Sequence, residues 1–296
     1  MSAVWLEQRE RGTLAVMKGG VRLLLSVGHR FGRLLLYPTC AYFLASSRQA
    51  RAASRDYLSR VLGRPARLLD VARHYLTFAK TLHDRVYFLA GRTGEFAIEQ
   101  HGLDVVERTL ARGKGCVLLG AHLGSFEVLR VIGSLERKLP VNVLLYPHNA
   151  SNAETVASDL CPELKDRVIP LGRPDTLLRV HECLERGEIV GILGDRTLKS
   201  DKTVRCDFFG TPATFPQGPL LLAAILKAPV VLFFGLYQGG RRYAIHFEPF
   251  ADELHIGRKN RGAQLQPLID RYASRLEHYC RLAPYNWFNF YDFWRS

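Results

Sequence analysis

His122 and Glu127 are the pair of side chains whose types and spacing best suit chemistry. They sit in Gly120-Ala121-His122-Leu123-Gly124-Ser125-Phe126-Glu127, directly after the apolar run Cys116 to Leu119. A neutral imidazole is a proton acceptor near neutral pH, and a carboxylate bonded to one ring nitrogen leaves the other free to act as a base. On one continuous helix the two residues would point about 140° apart, at roughly 3.6 residues per turn. If His122 instead ends a strand and Glu127 opens a helix, the intervening turn can bring them together, and Gly124 has the backbone freedom for it. A core histidine beside a helix-start glutamate is the competing reading.

The elements around them must supply that turn. Cys116 to Leu119 is short, apolar and bounded by glycine, which predicts a buried strand. Phe126 to Glu136 has helical spacing. Open α/β sheets place their polar residues at the carboxyl ends of such strands. Farther along, Val141–Tyr146, Val168–Leu171, Ile189–Leu193 and Val230–Leu236 read as strands. Helical patterns separate them at Asn152–Leu160, Asp175–Arg186 and Pro219–Leu226. Tyr243–Phe247 is expected to lie antiparallel to Val230–Leu236, and Gln264–Leu282 closes the series as a helix. The expected fold class is α/β, with a mostly parallel central sheet, helices on both faces and an N-terminal helical region in front.

Two further segments join the candidate site. Ile189–Leu193 ends in Gly194-Asp195-Arg196, where Arg196 either grips a phosphate or carboxylate in fork geometry or belongs to a surface turn with Asp195. Cys206 to Pro219 is rich in glycine and proline and reads as a loop running into a helix. Its Phe215, Gln217 and Gly218 are candidates for substrate contact, with backbone N–H groups near Gly218 suited to an oxyanion. A buried structural loop is the alternative.

These blocks together resemble the lysophospholipid acyltransferase superfamily. Gly120 to Glu127 is most similar to its lipid A biosynthesis branch, as are Phe209-Gly210, Thr214 and Gly218. The resemblance implies acyl transfer from an acyl-carrier protein or coenzyme A thioester to a hydroxyl or amine of a membrane lipid or glycolipid. It implies His122 as general base with Glu127 orienting it, and Gly124, Ser125, Asp195, Arg196, Phe215, Gln217 and Gly218 on the substrate. Neither metal nor resident cofactor is implied, and the site would face the cytoplasmic side of a bacterial inner membrane. Pro216-Gln217-Gly218-Pro219 stands where the glycerolipid branch carries Glu-Gly-Thr-Arg, which argues against a glycerol-phosphate acceptor.

Composition bounds the rest. The 296 residues carry a formal charge of +13, an excess that attracts anionic lipid, an acidic carrier or nucleic acid. The arginine-rich stretch from Arg48 to Arg64 spells an amphipathic basic helix. It lacks the interleaved aromatics of a nucleic-acid platform, so no nucleic-acid partner is expected. Six scattered cysteines show no metal or redox spacing. Residues 1–94 read as a helical, membrane-associating region and 95–296 as the acyltransferase domain. Within the former, residues 1–18 suit a surface segment. Leu34 to Ser47 is uncharged but shorter than the roughly 20 residues a spanning helix needs, so peripheral or monotopic contact is expected. The aromatic ending Tyr285 to Trp294 is either a membrane-interface belt or a core-packing tail. A serine- or cysteine-type hydrolase is the main rival; Cys116 lies inside a strand, and Ser125 lacks the G-x-S-x-G elbow.

Overall fold

The computed structural model describes residues 13–128, 140–146, 152–164, 166–198, 200–257 and 259–294. The expected helix from Phe126 starts at Glu127, and its continuation past Val128 lies outside the described residues, as do residues 1–12. Three helices lead: α1 (Leu14–Ser46), α2 (Arg48–Leu62) and α3 (Leu68–Leu89). Next come β1 (Ala97–His101), α4 (Leu103–Leu110), β2 (Cys116–Gly120), β3 (Val141–Leu145), α5 (Asn152–Leu160), β4 (Val168–Pro170), α6 (Thr176–Glu185) and β5 (Ile189–Leu193). The chain continues through β6 (Thr203–Phe208), β7 (Thr211–Pro216), α7 (Gly218–Ile225), β8 (Val230–Gly239), β9 (Arg242–Ala251) and α8 (Arg261–Leu282).

Seven strands form one sheet in the order β1-β9-β8-β2-β5-β3-β4. Its pairings are parallel except β8 with β9, which run antiparallel as expected. Successive side chains of a strand face opposite sides, and both sides are covered. Val117 and Leu119 of β2 join one apolar cluster, Cys116 and Leu118 the other. Strands buried on both faces are why these segments read as unbroken apolar runs.

The stretch from Cys206 to Pro216 is not a loop. It is a two-stranded antiparallel hairpin whose turn places Phe209 (φ 55°) and Gly210 (φ 72°) in the left-handed region, the twist hairpin turns favour. Thr203 to Phe208 alternates exposed and buried, a period-2 signal outweighed in sequence by the neighbouring glycines and prolines. Strand β1 and helix α4 also lack a distinct signal, since β1 lies at the sheet edge and α4 is short.

Helix α1 is bent at Gly28 (φ 79°) and pinned to the body one residue later. The fully buried Asp84 of α3 accepts from Arg33 at 2.8 and 3.0 Å and from Tyr243 at 2.9 Å, and meets His29 at 2.7 Å. These partners outweigh burial and hold the carboxyl at about 2. Among the described residues no helix is long and apolar enough to cross a membrane.

Candidate active site

Strands β2 and β5 are neighbours in parallel register, with Gly120 opposite Leu193. Two residues beyond each strand end, the chain therefore presents His122 and Asp195 side by side at the carboxyl edge of the sheet. Asp195 Oδ1 lies 2.7 Å from His122 Nδ1, and Oδ2 accepts the His122 backbone N–H at 3.0 Å. Gly120 itself is held by Tyr272 of α8, whose hydroxyl donates to its carbonyl at 2.7 Å, and by the Gly194 N–H at 2.9 Å.

The carboxylate at the ring is thus Asp195, not Glu127. Glu127 is buried at the start of its helix and forms an ion pair at 3.2 Å with Arg85 of α3. The geometric reason is that the chain turns back between the two residues. Gly124 (φ 70°) and Ser125 run against β8, where the Ser125 N–H donates to the Gly235 carbonyl at 2.7 Å. A Cβ on Gly124 would lie 1.9 Å from that same carbonyl oxygen. We expect Gly124→Ala to cost about 3 kcal/mol or more, a melting-point drop of roughly 6 °C or greater by calorimetry.

A third side chain completes the constellation and comes from the tail. Trp287 is fully buried, and its indole N–H donates to Asp195 Oδ2 at 2.9 Å. The tail runs antiparallel beside residues 122–124: Phe288 N–H donates to the His122 carbonyl at 2.8 Å, and Gly124 N–H to the Asn286 carbonyl at 2.8 Å. Behind it, buried His74 bridges the Trp287 carbonyl (2.9 Å) and Ser54 Oγ (2.8 Å). Burial pushes its imidazole down to about 4. Since Phe288, Tyr291 and Phe293 are buried as well, the aromatic ending is a core-packing tail. Its W-F-N-F-Y-D-F-W pattern was the only sequence signal for Trp287. Removing the N–H while keeping an aromatic ring, as in Trp287→Phe, is expected to lower kcat about 10- to 100-fold with little change in KM, measured by steady-state kinetics.

Charge follows from this geometry. Burial works to raise Asp195, yet His122, Arg196 and the indole N–H together hold it at about 2. It is therefore an acceptor at neutral pH, and the proton it meets must reside on His122 Nδ1. Nε2 then carries a lone pair. Burial first, then the nearby Arg196 cation, lower the imidazole from its ordinary value against the pull of Asp195. The ring is neutral at pH 7, and its side chain is 29% exposed.

That exposure opens onto a cleft of about 200 Å³ whose walls are largely aliphatic, from Leu144, Leu171, Ile192, Leu193 and Leu222. Arg196 also lines it, with one guanidinium N–H on the Phe288 carbonyl at 3.1 Å. Gly218, at the start of α7, is at the cleft too. The remaining sequence candidates lie elsewhere. Phe215 is fully buried against Phe208, Tyr272 and Phe293, Gln217 bonds Thr203, and Ser125 packs on β8.

Covalent nucleophiles find no support here. Cys116 is fully buried and its thiol is pushed up to about 12. His29, His83 and Asp84 have ligand-type atoms within 4.8 Å of one another, but Arg33 covers both oxygens of Asp84 and would compete with a dication. No curated protein matches the chain. A neutral imidazole oriented by a buried carboxylate at the mouth of an aliphatic cleft agrees with a family model that matches residues 7–296: the chain belongs to the bacterial lipid A biosynthesis acyltransferases and is an enzyme that transfers acyl groups to a lipid.

Proposed function

We propose that the chain moves a fatty acyl group from a thioester of acyl-carrier protein or coenzyme A to a hydroxyl or amine of a membrane lipid or glycolipid. The observation that carries this reading is the His122 ring, tied to Asp195 through Nδ1 and open to the aliphatic cleft. The acceptor's O–H or N–H donates to Nε2 as its heavy atom attacks the thioester carbonyl, and Asp195 stabilises the imidazolium that results. Collapse of the tetrahedral intermediate breaks the C–S bond, and the imidazolium proton passes to the departing thiolate. Products are the acylated lipid and a free thiol, with the base regenerated. General-base transfer supplies about 10²–10⁴-fold; positioning of the chain in the cleft and charge stabilisation of the oxyanion supply the rest. Arg196 and the Gly218 backbone are the groups on hand for that oxyanion.

The acyl chain lies along Leu144, Leu171 and Leu222, so the cleft measures chain length. Leu222→Trp is expected to lower kcat/KM for long-chain donors about 10- to 200-fold and to shift the optimum to shorter chains, read from a series of acyl thioesters.

Access to membrane lipid comes through α1. Its outward side carries Phe31 (68% exposed), Leu34 (61%), Tyr37 (53%) and Tyr42 (60%), with no charged residue from Leu34 to Ser47. Such a continuous apolar surface suits peripheral docking at the cytoplasmic face of the inner membrane, with Arg22 and Arg30 at headgroup level. The test is turnover with acyl-carrier-protein and acyl-CoA donors against a panel of membrane lipids. Acylated lipid is the expected product. Free fatty acid with no acylated lipid, under every donor and acceptor, would establish the hydrolase instead.

A further inference from the structure

A second cavity, about 490 Å³, lies at the same edge of the sheet but on the β8 side of His122, and the mechanism makes no use of it. Arg73, Thr77 and Lys80 of α3, Tyr237 and His246 of the sheet, and Asn286 of the tail line it. Its lining includes Arg73, Lys80 and His246 but neither aspartate nor glutamate. Lys80 is half-buried and has no ion pair among the described residues. Burial and the neighbouring Arg33 and Arg73 cations lower its ammonium. The carboxylate that opposes them, Asp84, already accepts from Arg33 and Tyr243 and meets His29. Arg73 lies over the Tyr285 ring at 4.4 Å, which holds its guanidinium at the rim. A half-buried ammonium and an exposed guanidinium lining one space that holds no carboxylate are stabilised by a bound anion.

We propose that this pocket binds a phosphate group, gripped by Arg73 and Lys80, and that the phosphate belongs to a membrane-lipid headgroup. A phosphomonoester matches the two cations in charge and presents several acceptor oxygens. The lipid source follows from what borders the pocket. Arg33 of α1 donates to the Tyr237 hydroxyl at 2.9 Å, and Cys40 of α1 approaches the Tyr75 carbonyl at 3.7 Å. Helix α1 thus packs its inner side against the Tyr237 that lines the pocket and keeps Phe31, Leu34, Tyr37 and Tyr42 exposed, so a lipid surface met by α1 lies beside the pocket. This phosphate site is independent of the acyl-transfer chemistry at His122.

The experiment is co-sedimentation of the full chain with phosphatidylcholine vesicles, with and without phosphatidic acid, beside calorimetric titration with glycerol 3-phosphate. Lys80→Met and Arg73→Gln are each expected to weaken the phosphatidic-acid-dependent binding about tenfold. Lys80→Arg is expected to retain it, and so is Lys227→Met, whose exposed lysine precedes β8 at the opposite edge of the sheet. Unchanged melting temperatures identify the effect as local. Binding of glycerol 3-phosphate that needs Lys80, without vesicle dependence, would retain the phosphate site and assign it to a soluble ligand. Equal losses for Lys80→Met and Lys227→Met, or none for either, would overturn the proposal. Turnover is read separately, so failed catalysis and failed anion binding are distinguishable.

Discussion

Replacing Asp195 by asparagine is expected to lower kcat about 10³–10⁴-fold while leaving the fold intact. The size of the effect follows from the hydrogen bonds. Oδ2 accepts two donors, the His122 backbone N–H at 3.0 Å and the Trp287 indole N–H at 2.9 Å. An asparagine must turn its carbonyl oxygen to that pair, since its amino group would face two donors with none to accept. Its NH₂ then points at His122 Nδ1, which has to become the acceptor. The ring proton moves to Nε2, and the base loses the lone pair that receives the acceptor's proton. Glu127→Gln weakens the pair with Arg85 and leaves the His122–Asp195 bond in place, and is expected to cost less than about tenfold. Steady-state kinetics on both variants decides between the carboxylates. Were Glu127→Gln the more damaging, Asp195 would be a scaffold and the orienting group would lie on the helix.

His122→Ala is expected to remove about 10²–10⁴-fold in kcat, with the variant binding donor as before. Combined with Asp195→Asn it should do little further harm, because the carboxylate acts through the ring it orients. The pH profile checks the same assignment. Burial and Arg196 set the imidazole below its ordinary value, so kcat/KM should be flat near neutrality and fall only as pH drops through that lowered value. Arg196→Gln removes one lowering influence and should move the acid limb upward. A limb that stays in place with Arg196 removed, or one absent from the wild type, would mean that another group takes the proton. Retention of full turnover by His122→Ala would end the general-base reading.

Much of this protein is legible in the chain itself. The buried strands appear as apolar runs because both faces of the sheet are covered, and the helices between them as amphipathic periods; Ile189–Leu193 is found to the residue. His122 stands out because a titratable side chain follows such a run, and α2 because arginines alternate with Tyr57, Leu58 and Val61. These are local properties, decided by each residue and its near neighbours.

The partner of His122 was not legible, because it depends on strand order. Nothing in the spacing of two apolar runs says that β5, third in sequence after β2, inserts beside it and brings Asp195 to the ring. Glu127 is near in sequence and Asp195 near in space, and the fold decides for the latter. The same holds for the tail. Whether aromatics from Tyr285 to Trp294 face lipid or core is settled only when β2 leaves a backbone edge at Leu123 for Trp287 to pair with. Local sequence specified the histidine and its strand; long-range packing selected the acid that holds it, since hydrogen-bond partners are chosen by distance and not by position along the chain.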